Sequence, residues 1–235
     1  MGKQKMSEKL AASLAIPLKM ITVLWGIHIV QWFLGLKLGF LGVFPQKIFG
    51  LKGILFSPLI HGDFGHLLSN TPPLFVLSAI LIFFYKKVAF RSFTMIYALT
   101  GLAVWLFGRP VFHIGASGVI YGLVAFVFWS GIFRRNFKSI ALALLVVFYY
   151  GSMFMGVLPG QEGISWESHL LGGLVGIFVA WWYKEEIEKD EVKQPYSWET
   201  EPELPPRPFF ENDLFEKTKM EREKERQERE RTDWF

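Results

Sequence analysis

IGASGVIYGLVAFVFWSGIF, residues 114–133, is an apolar run of 20 residues without a charged side chain, long enough to cross a bilayer as a helix. It opens on Gly115-Ala116-Ser117-Gly118, a small cluster carrying one hydroxyl at the mouth of a span. Two other apolar runs begin with equally polar groups: His61, His66 and Asn70 lead into the run ending at Tyr85, and His169 begins the run ending at Tyr183. Polar side chains at membrane depth are costly and mark functional positions, so the chemistry is expected at these three helix mouths.

The composition points to lipid as the solvent. Of 235 residues, 51% are hydrophobic and 17% aromatic, with 24 Phe and 9 Trp. Up to Tyr183 there are 14 Lys/Arg against 4 Asp/Glu, net +10, whereas residues 184–235 hold 11 basic and 17 acidic residues, net −6. The excess cations flank apolar runs, which suits anionic headgroups and membrane orientation and argues against a nucleic-acid partner. With no cysteine there is no disulfide and no thiolate, so any nucleophile must be a hydroxyl. Lys3, Lys5, Lys9 and Lys19 precede an apolar stretch reaching Leu38, which exceeds the roughly 7–15 residues of a signal-peptide core. No small-residue cleavage site follows, and the stretch reads as an uncleaved first span.

Six apolar runs stand out, at about residues 17–38, 67–85, 93–107, 114–133, 140–158 and 170–183. They predict an all-α membrane protein, a bundle of six transmembrane helices over residues 17–184, with a cytoplasmic segment 1–16 before it and a charged, proline-interrupted tail 185–235 after it. The third and sixth runs fall short of the roughly 20 residues a span needs, so they must borrow flanking residues such as Ala89 to Ser92 and Ser168 to His169. Lys86, Lys87 and Arg91 lie between spans two and three, and Arg134, Arg135 and Lys138 between four and five, neither trio with an acid. By the positive-inside rule both termini are expected in the cytoplasm. Spans two, four and six then all start at the outer face, and His61, His66, Asn70, Ser117 and His169 are expected to share one depth and one face.

Two glycine patterns suggest how these residues meet. Gly118 and Gly122 follow the serine, and Gly172 and Gly176 follow His169; each pair is a small-xxx-small face that lets helices approach closely. If the faces meet, Ser117 meets His169, the base a weak hydroxyl nucleophile requires. Tyr121 lies one turn beyond Ser117, where its ring can stack on His169. His66 and Asn70, also one turn apart, suit an oxyanion hole together with the Ser117 amide at the positive end of its helix. His61, out of phase with that pair, reads as a structural hydrogen-bonding residue, and His28 and His113 as ordinary packing histidines. Zinc bound by His61, His66 and His169 with Glu162 or Glu167 lacks ligand spacing, so neither metal nor other cofactor is expected.

These residues resemble the rhomboid family of intramembrane serine proteases. His61-x4-His66-x3-Asn70, Gly115-x-Ser117-Gly118 with Tyr121, and His169-x2-Gly172-x3-Gly176 match its second, fourth and sixth helix motifs in order. The resemblance covers about residues 18–183. It implies a Ser117/His169 dyad without an acidic third member, an oxyanion site of His66, Asn70 and the Ser117 amide, and cleavage of single-span or multi-span membrane proteins near their ends, at the outer membrane face. The membrane implied is a bacterial plasma membrane. Three positions depart from the family pattern: Leu51-Lys52-Gly53 replaces a Trp-Arg pair of the first loop, Pro72 and Pro73 follow Asn70, and Ser168 stands where alanine is frequent. The prolines should kink or loosen span two. The competing class is a catalytically silent membrane-protein binder or chaperone, or a transporter; the first should have lost the serine or histidine, and the second should show repeated halves. The glycine-containing connection 151–167 is expected to act as a lid over the site.

Overall fold

With no water to serve backbone polar groups, an apolar run in lipid satisfies them internally by forming a helix. The computed structural model describes residues 2–135, 137–159, 165–186 and 216–232. The chain divides into two compact units, Met1–Val192 and Lys193–Phe235.

In the first unit the helices are α1 (Gly2–Phe33), the single turn α2 (Gly53–Phe56), α3 (Phe64–Phe84), α4 (Ala89–Phe107), α5 (Ser117–Arg134), α6 (Phe137–Tyr150) and α7 (Trp166–Trp182). Four of them, over Met6–Phe33, Phe64–Phe84, Ala89–Phe107 and Ser117–Arg134, are long and apolar enough to cross a membrane. α6 has 14 residues and α7 has 17. The apolar run 140–158 does not continue as one helix: at Gly151 it tightens into a 3-10 segment, Gly151–Val157. α1 begins well before the first apolar run, so residues 2–16 continue the same helix, and α3 passes through Pro72 and Pro73 as one element. α4 and α7 take in Ala89 to Ser92 and Trp166 to His169 at their starts.

α5 is the central helix. Val119, Ile120, Leu123, Phe126 and Val127 are buried along it, and it packs most extensively on α7, then on α6, α3 and α4. α1 packs against α3. The outward faces carry large apolar side chains such as Phe90, Phe107, Phe137 and Phe148, each more than 70% exposed. Such a surface is stable against hydrocarbon and unstable against water.

The first loop, between α1 and α3, folds as short helical pieces and answers how it is anchored without a Trp-Arg pair. Tyr97 donates to the Leu55 carbonyl, the Trp105 indole donates to the Lys47 carbonyl at 2.9 Å, and Val43 and His113 exchange backbone hydrogen bonds of 2.9 Å each. The anchors come from α4 and from the loop before α5, and they grip main chain rather than loop side chains.

In the second unit the described residues form α8 (Lys219–Thr232), which buries no residue. Its start is capped by Thr218, whose backbone and hydroxyl each donate to Glu221 at 2.8 Å. The proline stretch from Pro195 to Pro208 lies outside the described residues.

Candidate active site

Ser117 is the first residue of α5 and His169 lies in the first turn of α7. Their helices approach through the two glycine faces. A Cβ on Gly172 would strike the Gly118 carbonyl oxygen, and one on Gly176 the Gly122 carbonyl oxygen. A Cβ on Gly118 would come 3.1 Å from the Ser168 carbonyl oxygen. Hydrogen is the largest substituent those contacts accept, and the close approach sets Ser117 Oγ 2.8 Å from His169 Nε2.

His169 Nδ1 lies 2.8 Å from the Gly156 carbonyl oxygen. A carbonyl only accepts, so Nδ1 carries the proton and the neutral ring presents its Nε2 lone pair to the serine hydroxyl. Tyr121 stacks on the imidazole with centroids 4.1 Å apart and planes 9° apart, and its hydroxyl donates to the Met153 carbonyl at 2.5 Å. The 3-10 segment therefore supplies one carbonyl that orients the imidazole and another that fixes the ring stacked on it. Gly156 and Met153 carry no signal in the sequence, because the working atoms are backbone oxygens.

Gly115 has φ +101°, a conformation glycine adopts without strain, and its N–H donates to the Ser57 carbonyl at 2.8 Å. A Cβ there would come within 2.6 Å of the His66 ring, so glycine also admits that imidazole beside the serine. Asp63 caps α3 by accepting from the His66 N–H at 2.8 Å. Asn70 is buried and donates one amide hydrogen to the His66 carbonyl at 2.7 Å, leaving its second. Ser117, His169, His66, Asn70, Tyr121 and Met153 all line one cavity of about 1220 Å³. Gly172 and Gly176 lie in the helix contact, away from that cavity's wall.

His61, expected as a structural hydrogen-bonding residue, lies behind His66 rather than in the cavity wall. It is fully buried, and its ring stands edge-on to His66 at 5.0 Å. Burial pushes its pKa down to about 4, so it packs as a neutral ring. His28 packs edge-on against Phe64 at 4.6 Å. Among the described residues no group of three or more acids or histidines is arranged to hold a metal ion. Glu162 and the rest of 160–164 lie outside the described residues, and so does that part of the expected lid.

Sequence reading also passed over a polar cluster joining the connection before α5 to the start of α7. Arg109 pairs with Glu167, and His113 links Arg109 to Ser165. A signal was present: Arg109 is the only charged residue between Arg91 and Arg134, isolated among apolar neighbours.

Fold and site together define a helical membrane protein with a serine and a histidine paired inside a polar cavity. Residues 49–186 match the rhomboid domain, and the chain belongs to that family and is an integral membrane protein. Uncharacterized proteins of Mycobacterium bovis and Mycobacterium tuberculosis are each 35% identical to it over 173 residues, covering 70% of this chain and 72% of theirs. An uncharacterized protein of Mycobacterium leprae is 36% identical over 140 residues, covering 56% of this chain and 55% of its own.

Proposed function

We propose that the chain is an intramembrane serine endopeptidase that cleaves membrane-spanning proteins near the outer face of the membrane. The observation that carries this reading is the 2.8 Å Ser117–His169 contact, with the Nδ1 proton held at 2.8 Å by a carbonyl that leaves Nε2 free to act as base. As Ser117 Oγ attacks a peptide carbonyl carbon, its proton passes to Nε2. The imidazolium keeps its Nδ1–H on the Gly156 carbonyl and then gives the Nε2 proton to the leaving amine. Negative charge on the carbonyl oxygen is taken up by the Ser117 N–H, one of the unpaired donors of the first turn of α5, with His66 and the second Asn70 amide hydrogen alongside. Water, activated by the same imidazole, then releases the acyl group. A polar cavity of this size within a bundle of apolar helices supplies the water that hydrocarbon excludes.

In this reading α6 and α7 also cross the membrane, α6 with the help of the 3-10 segment that extends it, giving six spans in a bacterial plasma membrane with both termini cytoplasmic. The α3–α4 and α5–α6 connections carry the cations Lys86, Lys87, Arg91, Arg134, Arg135 and Lys138, which supports that orientation. The substrates are single-span or multi-span membrane proteins. α3 and α6 both line the cavity and pack little on each other, which suits entry between them.

Purified protein in detergent, given a fluorogenic single-span substrate, tests the chemistry. The unaltered protein cleaves the substrate and is labelled at Ser117 by a fluorophosphonate, whereas Ser117→Ala and His169→Ala do neither. Undiminished cleavage by either variant, or none by the unaltered protein, refutes the reading. A cysteine at Val111 that stays unlabelled by an impermeant thiol reagent added outside, with one at Arg135 labelled, overturns the orientation.

A further inference from the structure

The loop before Ser117 and the start of α7 are joined by polar groups that the proposed chemistry does not use. The Arg109 guanidinium binds the Glu167 carboxylate through two hydrogen bonds, from Nε to Oε1 and from Nη2 to Oε2, the latter at 3.1 Å. The Glu167 side chain is 6% exposed, while Arg109, 56% exposed, stands at the rim of the cavity. A buried carboxylate is tolerated because it is matched by a bidentate partner.

His113 is buried beside this pair. Its Nε2 lies 3.0 Å from the Arg109 carbonyl oxygen, which fixes the proton on Nε2 and makes Nδ1 an acceptor. At 2.6 Å from Nδ1, the Ser165 hydroxyl donates to it, and Ser165 Oγ accepts from the Ser168 hydroxyl at 2.6 Å and the Ser168 N–H at 3.4 Å. Ser165 is the N-cap of α7, so His113 holds the cap that starts the helix. The backbone N–H and C=O of His113 are both paired with Val43. One residue thus joins the first loop, the loop four positions before the nucleophile, and the cap four positions before the base.

Resting on the Ser117/His169 reading, we propose that Arg109, His113, Ser165 and Glu167 form a positioning clasp that sets the depth and rotation of the first turn of α7, and with it the reach of His169 Nε2 to Ser117 Oγ. None of the four touches the reacting atoms. Without the clasp the first turn of α7 loses its cap and its only ion pair among the described residues, and that turn carries His169. A misplacement of about 1 Å at the reacting groups costs on the order of 10²-fold in rate.

The test uses the full chain in proteoliposomes with the single-span substrate, and reads kcat, KM, fluorophosphonate labelling rate and heat stability for Arg109→Gln, Glu167→Gln, their double variant, Ser165→Ala and Ser165→Thr. In folded variants kcat and the labelling rate fall together by roughly 10- to 100-fold while KM stays within about threefold. The double variant loses no more than the worse single one, because both act through one pair. Ser165→Thr, which keeps the hydroxyl, recovers most of what Ser165→Ala loses, and this comparison stands if the charge variants do not fold. Wild-type kcat in folded Arg109→Gln and Ser165→Ala overturns the clasp alone, as does a loss confined to KM, which would make Arg109 a substrate contact. Absence of cleavage and labelling in the unaltered protein overturns both the clasp and the dyad beneath it.

Discussion

Replacing Gly172 by alanine tests whether helix contact sets the catalytic distance. The added methyl would strike the Gly118 carbonyl oxygen, and it lies 2.9 Å from the Gly118 carbonyl carbon and 3.2 Å from its Cα. Relaxed carbon–carbon contacts are about 3.5–4.0 Å, so α5 and α7 must part by at least about 0.6 Å at this level, and by more at the oxygen. Gly118 follows Ser117 directly and Gly172 lies one turn beyond His169, so the separation is passed to the Nε2–Oγ contact. From 2.8 Å it opens to about 3.4 Å or more, past the roughly 2.7–3.2 Å of a well-formed hydrogen bond. The expected result is a fall of roughly 10²-fold in kcat, with a stability loss of about 1–3 kcal/mol from overpacking. Gly173→Ala is the matched control: its Cβ meets nothing within 4 Å, and alanine favours the helix by up to about 1 kcal/mol. Both variants are assayed for cleavage of the fluorogenic substrate in detergent and for fluorophosphonate labelling. Turnover by Gly172→Ala within about threefold of wild type, or an equal loss in Gly173→Ala, would refute the reasoning.

Other perturbations probe separate links. Tyr121→Phe keeps the ring on His169 and loses the hydrogen bond to Met153, so kcat/KM should drop by roughly fivefold, the equivalent of about 1 kcal/mol, with a larger loss in Tyr121→Ala; equal losses would deny the ring its part. Truncation after Lys189 should leave detergent activity within a few-fold of full length, because the removed tail is charged and its described helix buries nothing; inactivity of a folded truncated protein would make the tail part of the enzyme. His61 has its pKa lowered from 6.5 to about 4 on folding, so between those values the unfolded chain binds a proton that the folded chain does not. Its contribution to stability is complete above about pH 6.5 and is lost as pH falls toward 4, and the acid-side decline of Tm in detergent should be shallower in His61→Phe; unchanged slopes would contradict the assignment.

The meeting of Ser117 and His169 is legible in the chain because it is written twice, in polar groups at two helix mouths and in glycines spaced four apart behind each. Helix positions follow from the apolar runs for the same reason: backbone satisfaction in lipid allows few alternatives. The break at Gly151 was not legible, since apolar residues continue to Leu158 and nothing in composition separates an α-helical turn from a 3-10 turn. Neither was the partner of His169 Nδ1, because the backbone oxygen of Gly156 is common to every residue type. Arg109 and Glu167 were visible as isolated charges, but 58 positions separate them and only the packing of α4 and α7 pairs them.

The Gly156 carbonyl gives the site an interlock. The segment Gly151–Val157 lines the cavity and also holds the imidazole by Gly156 and the tyrosine by Met153. Any movement that lifts it to admit a polypeptide takes both carbonyls away, and the freed ring can turn or shift its proton to Nε2, where it no longer accepts from the serine. On the proposed function, an open enzyme would therefore be a disarmed one. It would be rearmed when the segment settles over whatever has entered, so a vacant cavity standing open to water would hold no activated nucleophile to turn on passing acyl groups.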